Sequence, residues 1–253
     1  MSLTSALFIV AMSFVTAAIS GVFGMAGGLM LKGALAFVLP VSATFFTHGV
    51  LQFVANGWRA TLHRSHVAWG IVALFALGSF VAAGLMAFVA LQPTKAGLFL
   101  LMGLVPGLVW LPQTWVKVDA SRPGQAFLCG LVVTGINLTA GVAGPILDVF
   151  FVRTALTRHQ IVATKAATQV FSHLMKIIVY GAPLLAVHGA GLPPWWVFAL
   201  AIPVSMLGTA AGGVLLNRLS DVDFKRYLRL ILTVIGAVYL LQAAHLFLTG
   251  QGG

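Results

Sequence analysis

The sequence predicts an all-α polytopic membrane protein built as two inverted repeats, each a glycine-broken helical hairpin followed by three transmembrane helices. Three observations predict it. Of the 253 residues, 60% are hydrophobic and 7% are charged, with a mean hydropathy of +1.05, which excludes a water-soluble globular domain. The apolar residues gather into segments long enough to cross a bilayer. The chain also matches itself when shifted by 117 residues.

The apolar segments run over residues 3–40, 43–62, 67–90, 96–112, 124–154, 159–182, 193–217 and 227–248. Six of these have the length of one membrane helix of about 20 residues. Segments 3–40 and 124–154 are too long for one straight crossing, and glycines interrupt both: "GVFGMAGG" at 21–28 and "GVAGP" at 141–145. The links decide how the two are read. If both segments cross once, Arg59, Arg64, Lys117 and Arg122 face one side, against Lys95, Arg153, Arg158, Arg218, Lys225, Arg226 and Arg229 on the other. If both turn back at the glycines, all of these share one side except Lys95. Basic residues concentrate in cytoplasmic links, so the second arrangement is expected, with both termini extracytoplasmic. The N-terminal stretch lacks a basic n-region and runs directly into further apolar sequence, as a retained first helix would. A single cysteine, Cys129, provides neither a disulfide framework nor a thiolate metal cluster.

The shift of 117 lays the "GMAGG" of residues 24–28 on the "GVAGP" of residues 141–145 without a gap. It also lays Thr47, His48, Gln52, Asn56, Arg59 and His63 on Thr164, Lys165, Gln169, His173, Lys176 and Tyr180. After an insertion of about 13 residues, Gly78 meets Gly208 and Lys95 meets Lys225. The organisation expected is a first transmembrane repeat over 1–115, a cytoplasmic linker over 116–123 and a second repeat over 124–253. With a hairpin counted as two passes, each half has an odd number of passes, so the second half enters from the opposite side, as in many secondary transporters.

His48, Gln52, Asn56, Arg59 and His63 step by 4, 4, 3 and 4 residues, which places them on one helix face, and their counterparts in the second half repeat the steps. Such groups are costly in hydrocarbon, by about 2.5 to 3.5 kcal/mol or more for a central Lys or Arg, so the two stripes should face each other or a wet cavity. Within the spans Lys32, Lys165, Lys176, His48 and His173 stand against one carboxylate, Asp148, and that balance suits an anion. Helices starting at Leu29 and Ile146 would point free N–H groups and the positive dipole end into the glycine breaks. The candidate binding residues are therefore Thr47, His48, Gln52, Asn56, Thr164, Lys165, Gln169 and His173, with Gly24, Gly27, Gly28, Gly141, Gly144 and Pro145 at the breaks. His48, His173 and Asp148 are the candidates for any proton coupling.

Each feature also has a plainer role. Gln52, Gln169 and Asn56 serve equally well as hydrogen-bond glue between helices. Arg59, His63 and Lys176 read as side chains that snorkel to the interface, and Lys165 has a structural alternative, a pair with Asp148. Gly78, Ala82, Gly84, Gly208 and Gly212 read as close helix packing. No residue pattern calls for a cofactor or metal, and the basic residues lie in topology-setting links, which excludes nucleic acid as a partner. A retinal photoreceptor would need a Schiff-base lysine that the final helix lacks, and a hydrolase would need an elbow or zinc motif that is absent.

On "GVFGMAGG" with the following helix ending near "ATFFTH", and on "AGVAGPILDVFFVR" and "VATKAATQVFSHLMK", the chain resembles the TauE/SafE sulfite exporter family over nearly its whole length. The first half departs from the family pattern at "LMLKGAL", where Lys32 and Gly33 stand in place of an early proline. The resemblance implies export of a small sulfur-containing anion, sulfite or a short organosulfonate such as sulfoacetate, across a bacterial inner membrane. It carries Gly24, Gly27, Gly28, Gly141, Gly144, Pro145, Thr164 and Lys165 as motif positions. Proton-coupled uptake of a small organic or sulfur oxyanion is the alternative, and the chain is expected not to be an enzyme. The expected partners are the anion, membrane lipid and, as an assembly, a homodimer.

Overall fold

The computed structural model describes residues 1–23, 25–89, 94–110, 118–141, 143–186, 189, 191–216 and 221–250. Gly24, Lys117, Arg218 and the first two residues of the 116–123 linker, all of which figured in the sequence reading, lie outside the described residues. Within them, every regular element is helical. The first half holds α1 (Leu3–Phe23), α2 (Met25–Val38), α3 (Val41–Leu62), α4 (Trp69–Val89) and α5 (Lys95–Leu104), which runs on into a 3-10 segment, Val105–Trp110. The second holds α6 (Pro123–Thr139), α7 (Gly144–Phe151), α8 (Arg158–Ala186), α9 (Trp195–Leu216) and α10 (Asp221–Leu248).

Both long apolar segments turn back. A helix running unbroken from residue 16 to 27 would separate them by roughly 16 Å. Instead, α2 lies so close on α1 that a Cβ at Gly27 would collide with the Thr16 carbonyl and with Ser20. Gly27 therefore serves the close approach of the two arms. In the second half the return is fixed at its far end, where the Ala120 N–H, just before α6, donates to the Phe150 carbonyl at the end of α7 (2.9 Å). Beside it, Asp119 accepts from the Ser121 hydroxyl at 2.6 Å and N–H at 2.8 Å. The Ser121 bonds hold the Asp119 carboxyl below its ordinary range. At eight residues, or roughly 12 Å, α7 is far too short to cross a bilayer.

The expected helix starts at Leu29 and Ile146 fall late. α2 begins at Met25 and α7 at Gly144, because Gly27 and Gly28 in the first break and Gly144 in the second are themselves taken into the first helical turn. Pro145 occupies the opening turn of α7, where its missing N–H costs no hydrogen bond. The bend in the second half falls instead on Gly141, whose φ of +82° is open to glycine at no steric cost.

Among the described residues, four helices, over Leu3–Phe23, Trp69–Ala87, Trp195–Leu215 and Arg226–Leu248, are long and apolar enough to span a membrane. The chain is a multi-pass membrane protein. Helices α3 and α8 match them in length but carry the polar stripes, and they pack on each other. They run antiparallel: Phe45 stacks on Tyr180 with ring centroids 4.2 Å apart, Gly49 lies against Ile177, and Gly57 against Val170. Outside this pair, α1 packs on α9, α4 on α6 and α5 on α10. Exchanging α1–α5 with α6–α10 in order maps this set of pairings onto itself.

The small residues seat the outer pairs as expected at Gly78, Gly208 and Gly212. A Cβ at Gly212 would run into the Ala18 carbonyl of α1, and one at Gly78 into the Phe127 carbonyl of α6. Gly84 is different, with no atom within 4 Å of an added Cβ. Gly130 on α6 meets the Phe75 carbonyl of α4 and has no flexible neighbour to yield. Gly130→Leu should therefore lower stability by about 3 kcal/mol, the upper range for overpacking. Gly84→Leu should leave it unchanged. Thermal unfolding of purified protein in detergent, followed by intrinsic fluorescence, checks both.

Candidate functional site

The polar stripes of α3 and α8 meet around a cavity of about 100 Å³. Its walls include His48, Gln52, Asn56 and Arg59 from α3, and Lys165, Gln169, Ser172 and His173 from α8. The broken segments complete it with Ser20 of α1, Gly28 of α2, Asn137 of α6 and Gly144 of α7. Eight of the sequence-derived candidates thus converge: Gly28, His48, Gln52, Asn56, Gly144, Lys165, Gln169 and His173.

The others sit elsewhere. The Thr164 hydroxyl faces the link before α4 and accepts from the Ala68 N–H at 2.9 Å. Gly27 is used in the α1–α2 approach, and Pro145 is buried in the first turn of α7. Thr47 is buried, and its Oγ1 has no hydrogen-bond partner among the described residues. Gly141 lies behind the cavity, at the bend.

Two cationic ends flank the α3–α8 crossing. At one, Arg59 donates to the Ser20 carbonyl at 3.4 Å, and Lys165 is ion-paired with Asp148. This end is partly open, since the Lys165 side chain is 23% exposed and that of Asp148 38%. The structural alternative for Lys165 is therefore present in the geometry alongside its place in the cavity wall.

The other end is closed. Lys176, read from sequence as an interfacial side chain, is 0% exposed and stands at the C-terminal end of α6. It donates to Asn137 Oδ1 at 2.6 Å, to the Gly141 carbonyl at 2.7 Å and to His48 Nδ1 at 3.2 Å. Beside it the Tyr180 hydroxyl donates to the Leu138 carbonyl at 2.6 Å. A helix that stops inside the membrane leaves its last carbonyls without N–H partners and its negative dipole end exposed, and a lysine and a tyrosine answer both. With Lys176 as an ammonium, His48 accepts at Nδ1, so its Nε2–H donates to the Gly28 carbonyl at 2.9 Å. The His48 and His173 rings lie 5.5 Å apart.

Sequence reasoning placed Lys176 and Arg59 in the stripes but at the interface, and it missed Asn137. Asn137, whose side chain also donates to Ser172 Oγ at 2.8 Å, falls on Ser20 under the shift of 117, and both line the cavity. That coincidence was available as a signal. Lys165→Met should cost less than about 1 kcal/mol, as for a partly exposed pair. Lys176→Met strands three buried acceptors and should cost about 3 kcal/mol or more. Chemical unfolding of both variants beside the unsubstituted protein measures the difference.

A family model described as Sulfite exporter TauE/SafE matches residues 9–239, nearly the whole chain. The chain belongs to that family, which is one of membrane transporters and not of enzymes. No curated protein and no solved structure matches it.

Proposed function

We propose, from membership of the TauE/SafE family, that this chain is a secondary transporter exporting sulfite or a short organosulfonate such as sulfoacetate across a bacterial inner membrane, with both termini extracytoplasmic. The observation that carries the reading is the cavity between the broken helices, walled by cations, imidazoles and amides. The chain has only four carboxylates, and among the described side chains the one beside the cavity, Asp148, is ion-paired with Lys165. A cation would find no free carboxylate there; an oxyanion finds donors. Gln52, Gln169, Asn56 and His173 would bind its oxygens, and the first turn of α7 at Gly144 would add backbone N–H groups and a positive dipole end.

The antiparallel α3–α8 crossing and the self-mapping helix pairs support two inverted repeats, divided as 1–115 and 124–253. Under the 117-residue shift Arg59 corresponds to Lys176, Lys165 to His48, and Ser20 to Asn137. The open and closed ends are then counterparts, and rocking one repeat against the other exchanges them, giving alternating access. Export needs no coupling ion, because each negative charge leaving a negative interior gains about 2.3 kcal/mol per 100 mV.

The test is efflux of labelled sulfite, sulfoacetate and taurine from proteoliposomes. Saturable efflux of sulfite or sulfoacetate is expected, faster when the interior is held negative, and reduced about tenfold or more in Lys165→Ala, as for loss of a charge-assisted contact. Flux of none of the three would sink the sulfur-anion assignment, and undiminished flux in the variant would leave Lys165 a structural residue.

A further inference from the structure

The closed end of the crossing gathers two buried lysines for which the described residues offer no carboxylate. Lys32 Nζ lies 3.0 Å, and Lys176 Nζ 5.7 Å, from the centroid of the same Phe45 ring, so their separation is at most those two distances end to end. Both side chains are 0% exposed. They meet at Gly141, whose carbonyl accepts from Lys176 and whose missing Cβ leaves space for the Lys32 side chain. Among the described residues, neither lysine has a carboxylate partner.

The two ammonium groups differ in what they touch. Lys176 is held by three acceptors, whereas Lys32 Nζ has no hydrogen-bond partner among the described residues and lies over the face of Phe45. His173 Nδ1, on the cavity wall, is likewise buried without a partner. Unsatisfied buried polar atoms are rare in native proteins and ask for a reason, and two of them gathered at one cationic end point to a ligand.

The open end makes the contrast. There α7 supplies an acid, Asp148, to Lys165. Shifted back by 117 residues, Asp148 falls on Leu31, next to Lys32. At nearly equivalent places the short helix of one half contributes a negative charge and that of the other half a second positive one. A buried cation left without a counter-charge is costly, and the closed end brings together two lysines that can hold full charge there only with an anion between them.

We propose that Lys32 and Lys176 form a binding station for a small dianion, entered from the cavity through its Asn137 and His48 wall, so that the transported substrate carries two negative charges. This rests on the anion-transport reading and narrows it. A sulfonate group has one charge, and a carboxylate on the same short chain supplies the second, as full ionisation does for sulfite. Lys32 offers three donors with no competing acceptor. Lys176 exchanges its bonds to Asn137 and Gly141 for bonds to the anion, which frees the wall as the substrate passes. Loss of Lys32 removes one charge from the station and leaves Lys176 and its acceptors in place.

The experiment is calorimetric titration of the purified full chain in detergent with sulfoacetate, with sulfoacetamide, a monoanion of nearly the same size, and with malonate, a dianion without sulfur. Sulfoacetate should bind about tenfold or more tighter than sulfoacetamide, and Lys32→Gln should weaken sulfoacetate by about tenfold or more while changing sulfoacetamide by less than about threefold. Equal affinity of the unsubstituted protein for sulfoacetate and sulfoacetamide overturns the station, and so does an equal loss for both in Lys32→Gln. Thermal unfolding confirms that the variant is folded. Should it not fold, the affinity ratio of the unsubstituted protein decides alone. If neither sulfur compound binds but malonate does, in a Lys32-dependent way, the dianion station stands and the sulfur assignment falls. Binding of none of the three overturns the station.

Discussion

A helix that ends inside a membrane must find partners for its last carbonyls, because hydrocarbon offers none. The second half of this chain meets that demand at the end of α6 with two side chains of α8, Lys176 on Gly141 and Tyr180 on Leu138. In the first half the bonds fall at the start of a helix instead: His48 of α3 and Tyr239 of α10 donate to the Gly28 and Leu29 carbonyls in the first turns of α2 and tie it to its neighbours. Much of the architecture follows from this. The two helices carrying polar stripes must stand at the centre, against the breaks and each other. The helices around them are then free to be apolar, and the close approach of α1 to α9 and α4 to α6 encloses the arrangement with glycine contacts in place of polar ones.

The same demand puts a cation where one would otherwise be expelled. Lys176 is tolerated because a helix C-terminus is the negative end of a dipole and because three acceptors surround the ammonium. That compensation is made of dipoles and holds no full charge. Asp148, the acid of the broken segments, is engaged at the opposite end of the crossing. The central cavity is thus walled by amides, imidazoles and lysine together with apolar residues such as Val133 and Leu147, and on the proposed reading its preference for an anion would belong to the scaffold as much as to any one contact.

Much of this was legible in the sequence, for reasons that can be stated by element. The stripe spacing of 4, 4, 3 and 4 residues fixed which faces of α3 and α8 turn inward, and eight predicted residues do line one cavity. The hairpins were legible from link charges, since one-sided positive charge is possible only if both broken segments return. What failed was depth. Lys165 and Lys176 lie on one helix roughly 16 Å apart along its axis, and periodicity cannot say which of the two is central. The sequence reading put Lys176 at the interface, whereas the fold buries it completely and leaves Lys165 partly open. The start of α2 was misplaced for a different reason: glycines were taken to mark the break itself, although Gly27 is there because the Thr16 carbonyl lies against it.

Counterpart positions that share a geometry without sharing a charge bear on how such a site can work. Were the two halves chemically identical, the ends of the crossing would be equal in energy and an anion would have no reason to favour either. Here Arg59 and Lys165 stand opposite Lys176 and His48, and the short helices contribute Asp148 to one end and Lys32 beside the other. The end carrying Asp148 has a resident counter-ion and can stand open to water without a ligand. The end carrying Lys32 has none, so its closure around bare lysines is costly and its closure around an anion is not. On the proposed reading, an anion would bias which end closes through its own charge, since a ligand acts on a two-state equilibrium only by such a difference. That reading traces the difference to Asp148 and Lys32, one on each of the two short helices.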